Sequence, residues 1–128
     1  MTFVTEYKFN RDPSKPGRVL ETVRIGEVYI SRLEIEPGVV TANFYHKRTN
    51  TILFVERGKV FMKFVQVVTH ETKEIVMEPG SSIVHLPTMV AIANKNIGRE
   101  TAIVILFSDQ QFRSGDDYFY EVIPFEEL

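Results

Sequence analysis

The chain has 128 residues, 44% hydrophobic and 25% charged, with a formal net charge of −2 and no cysteine. That length and mixture fit one soluble domain with a substantial core, the charge balance offers no grip for nucleic acid, and disulfides, thiolate-held zinc and thiol catalysis are excluded. No apolar run approaches the roughly 18 residues of a membrane helix, and the start, Met1 to Lys8, lacks the basic-then-apolar order of a signal peptide.

Period-2 alternation dominates and predicts short strands throughout. Residues 1–17 read as an arm that ends in the loop Arg11-Asp-Pro-Ser-Lys-Pro-Gly17. Val28 to Ile35 alternates and stops at Glu36-Pro37-Gly38, where proline presets φ and glycine accepts a positive one. Val39 to His46 is the next strand, with Lys47 to Asn50 as its turn. Thr51 to Val55 is β-branched and aromatic and ends at a hairpin signal, Arg57-Gly58. Val60 to Val68 follows, then Glu74 to Met77, Ser82 to Leu86, Val90 to Ala93 and Thr101 to Phe107. Such regular punctuation predicts an antiparallel sandwich or small barrel. The tail from 108 to 128 is aromatic and acidic, so its rings need a surface to pack on. That surface is either the outside of the barrel or a partner. One domain spans 1–128, with the barrel at about 26–107.

The punctuation between Gly38 and Asn96 resembles the cupin superfamily. Gly38, Phe44, His46, Thr51 and Gly58 fall on the spacing of its first motif, and Pro87, Met89, Ile92 and Asn96 on that of its second. The resemblance implies an all-β double-stranded β-helix, a jelly-roll barrel. Cupins of this kind usually hold a metal on four inward donors, but Phe44, Thr51 and Ile92 occupy three of those places. An aromatic ring and an alkyl chain cannot ligate, and a neutral hydroxyl ligates poorly. No metal and no other cofactor are therefore expected. His46, His85 and a carboxylate such as Glu34 form the alternative donor set.

A narrower similarity links Phe44-Tyr-His-Lys47, Leu86-Pro-Thr-Met-Val90, Leu106-Phe-Ser-Asp109 and Asp116-Asp-Tyr118 with Phe125 to small cupin sugar-nucleotide ketoisomerases. The tail also resembles the cupin domain of capsule-sugar reductases. These likenesses imply deoxysugar and polysaccharide biosynthesis, a homodimer, and proton transfer beside a ketone. In that pattern His46 matches one of two histidines, Phe44 stands in place of the other, and Thr41 replaces an arginine that holds the diphosphate.

His46 is the candidate base, since a neutral imidazole accepts a proton near pH 7; a buried histidine satisfied by a backbone carbonyl is the bland reading. Phe44, Thr51 and Ile92 are expected to line the cavity with it. His85 at a strand end, Tyr29 and Arg32 are further ligand-binding candidates, Arg32 as a two-pronged phosphate clamp. By alternation, Asn43 and Tyr45 point away from His46 toward an interface. Phe61, Val65 and Val67 leave the Val60–Val68 strand apolar on both faces, which a second subunit would explain. The functional expectation is a cytoplasmic homodimer that binds a small molecule, a nucleotide-linked deoxysugar, and isomerises it. The rival expectation is a binding or accessory cupin without catalysis.

Overall fold

Pro-Gly and Gly turns cut the chain into strands short enough to form two facing sheets. A computed structural model describes residues 3–111 and 115–125, which contain no helix. The outermost residues of the expected arm and tail, 1–2 and 126–128, and the tail positions 112–114 lie outside the described residues. The strands are β1 (Asn10–Asp12), β2 (Arg18–Ile25), β3 (Val28–Ile35), β4 (Val40–Tyr45), β5 (Thr51–Arg57) and β6 (Val60–Gln66). They continue as β7 (Thr72–Met77), β8 (Val84–Leu86), β9 (Val90–Asn96), β10 (Ala102–Ser108) and β11 (Tyr118–Phe119). One sheet runs β1-β2-β3-β10-β5-β8 and the other β11-β4-β9-β6-β7, and every pairing is antiparallel.

This is the expected jelly-roll barrel. Ile35, Leu53 and Val104 from the first sheet meet Val60, Met62 and Met77 from the second, each at most 1% exposed. Gly58, between β5 and β6, has φ +87°, and a Cβ there would sit 3.0 Å from the Ala102 backbone. Both the turn and the close approach therefore require glycine.

Three features depart from the sequence expectation. The barrel begins earlier, because β2 pairs with β3 along its whole length from Arg18↔Ile35 to Ile25↔Val28. Polar and apolar residues are mixed on both faces of Arg18-Val-Leu-Glu-Thr-Val-Arg-Ile25, so no period-2 signal marks it as a strand. Next, β4 carries a bulge against β9 between Ala42 and Phe44, with φ +75° at Ala42 and +62° at Asn43. The extra residue breaks strict alternation.

The third departure concerns β6. Its outer residues Val65 and Val67 belong to a small cluster with Ala91, Ala93, Tyr45, Tyr120, Val122 and Ile123. The chain's own tail thus covers the Val65 and Val67 end of the apolar face that argues for a second subunit, while Phe61 lies outside this cluster. Asn43 fixes that tail. Its carboxamide oxygen accepts from Val122 N (2.8 Å) and Ile123 N (3.0 Å), and its Nδ2 donates to Ile123 O (2.7 Å). Asn43 therefore faces an intrachain partner.

Asn96 performs a comparable task at the far end of β9. Only 1% exposed, it donates Nδ2 to Ile35 O and Glu100 O at 2.8 Å each and accepts from Gly98 N at 2.9 Å. Removing one side chain would leave backbone groups of β3 and of the turn after β9 without partners. Asn96→Ala is expected to lower unfolding free energy by roughly 2–4 kcal/mol, measured by urea titration. A loss under roughly 0.5 kcal/mol would show that the ties are dispensable.

Candidate functional site

A cavity of about 250 Å³ opens between the sheets, with Leu33, Leu53 and Leu106 on one side and Thr41, Phe44 and Ile92 on the other. The β4 bulge explains why both Thr41 and Phe44, three residues apart, face inward: Thr41 pairs with Asn94 and Phe44 with Ile92, two inward residues of β9. His46 follows directly after the strand. Its carbonyl accepts from Met89 N at 2.7 Å, so the Pro87-Thr-Met89 turn anchors the peptide that carries the imidazole. The ring is 2% exposed and stacks on Phe44 with centroids 4.9 Å apart.

The tail completes the site. Asp117 Oδ1 lies 2.7 Å from His46 Nε2, and Asp117 is 29% exposed on the cavity wall. Its neighbour Asp116 points the other way and is 2% exposed. Asp116 accepts from Lys47 N (3.2 Å), Arg48 N (2.9 Å) and Thr49 Oγ1 (2.8 Å), stitching the tail to the turn after His46. Burial alone would push its carboxyl up. The hydrogen bonds from Thr49, Arg48 and Lys47 outweigh that, with help from His46, and hold it at about 2 against an ordinary 3.8. Lys47 then lies over the Tyr118 ring at 4.3 Å, and Tyr45 stacks on the same ring at 5.4 Å. One aspartate therefore positions the tail so that the next can meet the histidine.

Further polar groups enter from elsewhere. Lys15 and Arg18, from the β1–β2 turn and the start of β2, line the opening. Thr51 (1% exposed) and Asn94 (4%) line the interior. Thr51 Oγ1 and Asn94 Oδ1 have no hydrogen-bond partner among the described residues.

The expected site residues separate into two groups. His46, Phe44, Thr51 and Ile92 come together in the cavity as expected. Tyr29, Arg32 and His85 do not line it. Tyr29 sits under the Arg24 guanidinium at 5.6 Å. Arg32 is on the outer face, where Glu34 Oε1 at 2.6 Å and Glu21 Oε1 at 3.3 Å already neutralise it. The Glu34 hydrogen bond raises its pKa, which reinforces the pairing. His85 is exposed on β8 beside a separate surface hollow. Asn94, missed from sequence, was recoverable from period 2, since it shares the Ile92 face of β9. Lys15, Arg18 and Asp117 lie far from the barrel motifs in sequence.

A metal fits poorly here. Phe44 and Ile92 offer no lone pair, Thr51 a neutral hydroxyl, and His46 with Asp117 leaves a divalent ion two ordinary donors. Among the described residues no three His, Asp or Glu side chains cluster as a metal site. The set of His46, His85 and Glu34 is dispersed, because Glu34 pairs with Arg32 outside the barrel.

Two antiparallel sheets closed around an end-on cavity of this kind define a cupin barrel. More particularly, the family model for the polysaccharide biosynthesis C-terminal domain matches residues 13–119, and the chain belongs to that family. Its fold is similar to the capsular polysaccharide assembling protein CapF from Staphylococcus aureus (TM-score 0.81, 20% identity, 91% of this chain and 33% of that one). It is also similar to an oxalate decarboxylase variant from B. subtilis (0.77, 14% identity, 93% and 33%). An oxalate oxidase in complex with glycolate resembles it as well (0.71, 17% identity, 84% and 58%). At these identities the likeness shows the fold, and the chain spans about a third of the length of the CapF structure. No curated protein matches it in sequence. No helix long and apolar enough to cross a membrane occurs among the described residues.

The depressed Asp116 carboxyl carries a sign. Stability gained from its ionised form is present above the ordinary value of 3.8 and is lost as pH falls through about 2. Asp116→Asn should therefore melt below the unsubstituted protein at neutral pH. The gap should narrow as pH drops through that window. A gap independent of pH, in melts followed by circular dichroism, would show that the charge of Asp116 is immaterial.

Proposed function

We propose that the chain is a metal-independent cupin of polysaccharide biosynthesis that takes a nucleotide-linked keto-deoxysugar and transfers a proton beside its keto group, with His46 as the base. The observation that carries this reading is the contact at 2.7 Å between the buried His46 and the partly exposed Asp117 in the wall of the cavity. A lone imidazole among apolar groups would argue for binding alone. A carboxylate against it supplies the second proton-active group and stabilises the imidazolium that forms. Membership of a polysaccharide biosynthesis family supports the class of substrate.

The chemistry needs no co-reactant. His46 takes the proton from the hydroxyl-bearing carbon next to the ketone, and that C–H electron pair becomes the carbon–carbon double bond of an enediolate as the keto oxygen takes the negative charge. The hydroxyl proton passes to that oxygen, through Thr51 or a water. The former carbonyl carbon then regains a proton from the imidazolium, which leaves the keto group one carbon along. The stacked Phe44 ring and the Asp117 contact hold the imidazole in one orientation, which proximity catalysis requires.

A second reading, binding without turnover, is supported by the apolar side chains Phe44 and Ile92 at former donor positions. Assembly is a separate matter, because the tail occupies the Val65 and Val67 end of the face that argues for a dimer.

With a 4-keto-6-deoxysugar nucleotide in deuterated water, the protein is expected to exchange the proton next to the ketone and yield the 3-keto isomer. His46→Asn should reduce the rate by roughly 10²–10⁴-fold while the melting profile stays cooperative. An unchanged rate in that variant removes His46 as base. Saturable ligand binding with no deuterium uptake would favour the second reading.

A further inference from the structure

The sequence offers Arg32 as the residue that grips a phosphate, but in the structure Arg32 lies outside the cavity lining and pairs with Glu21 and Glu34. Two other cations stand at the opening. Lys15 and Arg18 line the same cavity as His46 and Asp117, and neither takes part in an ion pair among the described residues. We infer that Lys15 and Arg18 are an anion clamp that holds the diphosphate of a sugar ester at the mouth while the sugar ring enters the cavity. This deepens the reading above and rests on it for the identity of the ring.

Three observations carry the inference. The first is charge. Two cations face one carboxylate, Asp117, which is already bonded to His46. Burial and then the charge of Arg18 make Lys15 easier to deprotonate, and burial does the same to Arg18; Asp117 opposes both effects. Crowding like charges in a half-buried mouth is costly for the protein alone, and a bound dianion relieves it.

The second is rigidity. The turn that presents both residues is braced: Ser14 N donates to Asp12 Oδ1 at 2.9 Å, and Glu36 N donates to Gly17 O at 2.8 Å. Gly17 has φ +76°, and a Cβ there would come within 2.6 Å of Val39 Cγ2, so the turn is seated directly on the barrel. Arg18 begins β2 on the face that Leu20 continues into the cavity. A clamp on such a support loses little freedom when it closes on its ligand.

The third is the division of the cavity. Its 250 Å³ falls just below ligand clefts of roughly 300–1,000 Å³, room for a sugar ring and not for a whole nucleotide. Inside, the partnerless Thr51 Oγ1 and Asn94 Oδ1 suit the hydroxyl groups of a ring. The cations sit where the ester oxygen of that ring would emerge. Thr41 at 1% exposure fills the position where the family resemblance places an arginine, and the cations at this cavity stand instead on the β1–β2 turn and the start of β2.

Titration calorimetry of the full chain with thymidine diphosphate, inorganic pyrophosphate and a neutral 6-deoxyhexose tests this. Thymidine diphosphate and pyrophosphate are expected to bind and compete, with affinity that falls as salt rises. Arg18→Gln and Lys15→Gln should each weaken both by roughly ten- to a hundredfold, and Arg18→Lys should recover part of the loss. Thymidine diphosphate that binds while pyrophosphate does not would assign recognition to the nucleoside and overturn the clamp, as would salt-independent binding or equal affinity in Arg18→Gln. Arg32→Gln, outside the cavity, is the control and should bind like the unsubstituted protein. The two readings fail separately. Diphosphate binding without deuterium uptake keeps the clamp and sinks the isomerase, whereas turnover indifferent to Arg18 and Lys15 does the reverse.

Discussion

The site depends on two consecutive residues, Ala42 and Asn43, held at positive φ in the middle of a strand. Outside glycine such backbone costs of order 1–3 kcal/mol per residue and persists where its surroundings enforce it. Here the enforcement is identifiable. The Asn43 side chain gives and takes three hydrogen bonds with the tail backbone, and its carbonyl accepts a fourth from Tyr120 N at 3.0 Å. The bulge turns Thr41 and Phe44 to the same cavity and sets the tail on the outer face of the sheet. Without it, regular alternation would send Thr41 to the face opposite His46, and nothing would bring Asp117 alongside the imidazole.

From that arrangement follows a division of labour between adjacent aspartates. Asp116 spends its lone pairs on the 47–49 turn and is a structural fastener. Asp117, one peptide further, alternates to the opposite side and meets His46. The pair shows why an acidic dipeptide in a tail is worth reading as two residues. An extended backbone sends neighbours in opposite directions, so one can anchor while the other acts.

The barrel was legible because turns and alternation are local properties. Pro37-Gly38, Gly58 and Pro79-Gly80 mark strand ends by backbone chemistry, and Asn96 lies where a motif turn places it. Inward residues on regular stretches of β5 and β9, Thr51 and Ile92, could also be read from period 2. Beyond that, the sequence was silent for physical reasons. The bulge at Asn43 is a tertiary compromise between a strand and a tail 80 residues away, and no window around β4 contains both. The Val19-to-Ile25 segment has too mixed a pattern to announce itself. Arg32 looked like a clamp because its neighbours across the sheet, Glu21 above all, cannot be known before the register of β2 on β3 is known.

The same constraint explains how a cupin can part with metal donors and still keep a polar centre. In a barrel with several imidazoles the strands themselves carry the charge. Here the middle of the chain supplies a largely apolar box, with His46 as its ionisable strand-end residue, and the charged groups arrive from outside the motif region: Lys15 and Arg18 before it, Asp117 after it. Charges brought by a turn and a tail remain near the rim, where partial hydration keeps their desolvation cost low. The deep interior retains neutral acceptors, Thr51 and Asn94, whose hydrogen-bonding capacity the described residues leave open. A polarity gradient from neutral depth to charged rim is what the proposed ligand, an uncharged ring joined to an anionic group, would match. On that proposal a free sugar would leave the rim cations uncompensated and a bare phosphate would leave the interior acceptors unmet, so the joined molecule would meet both where neither half does.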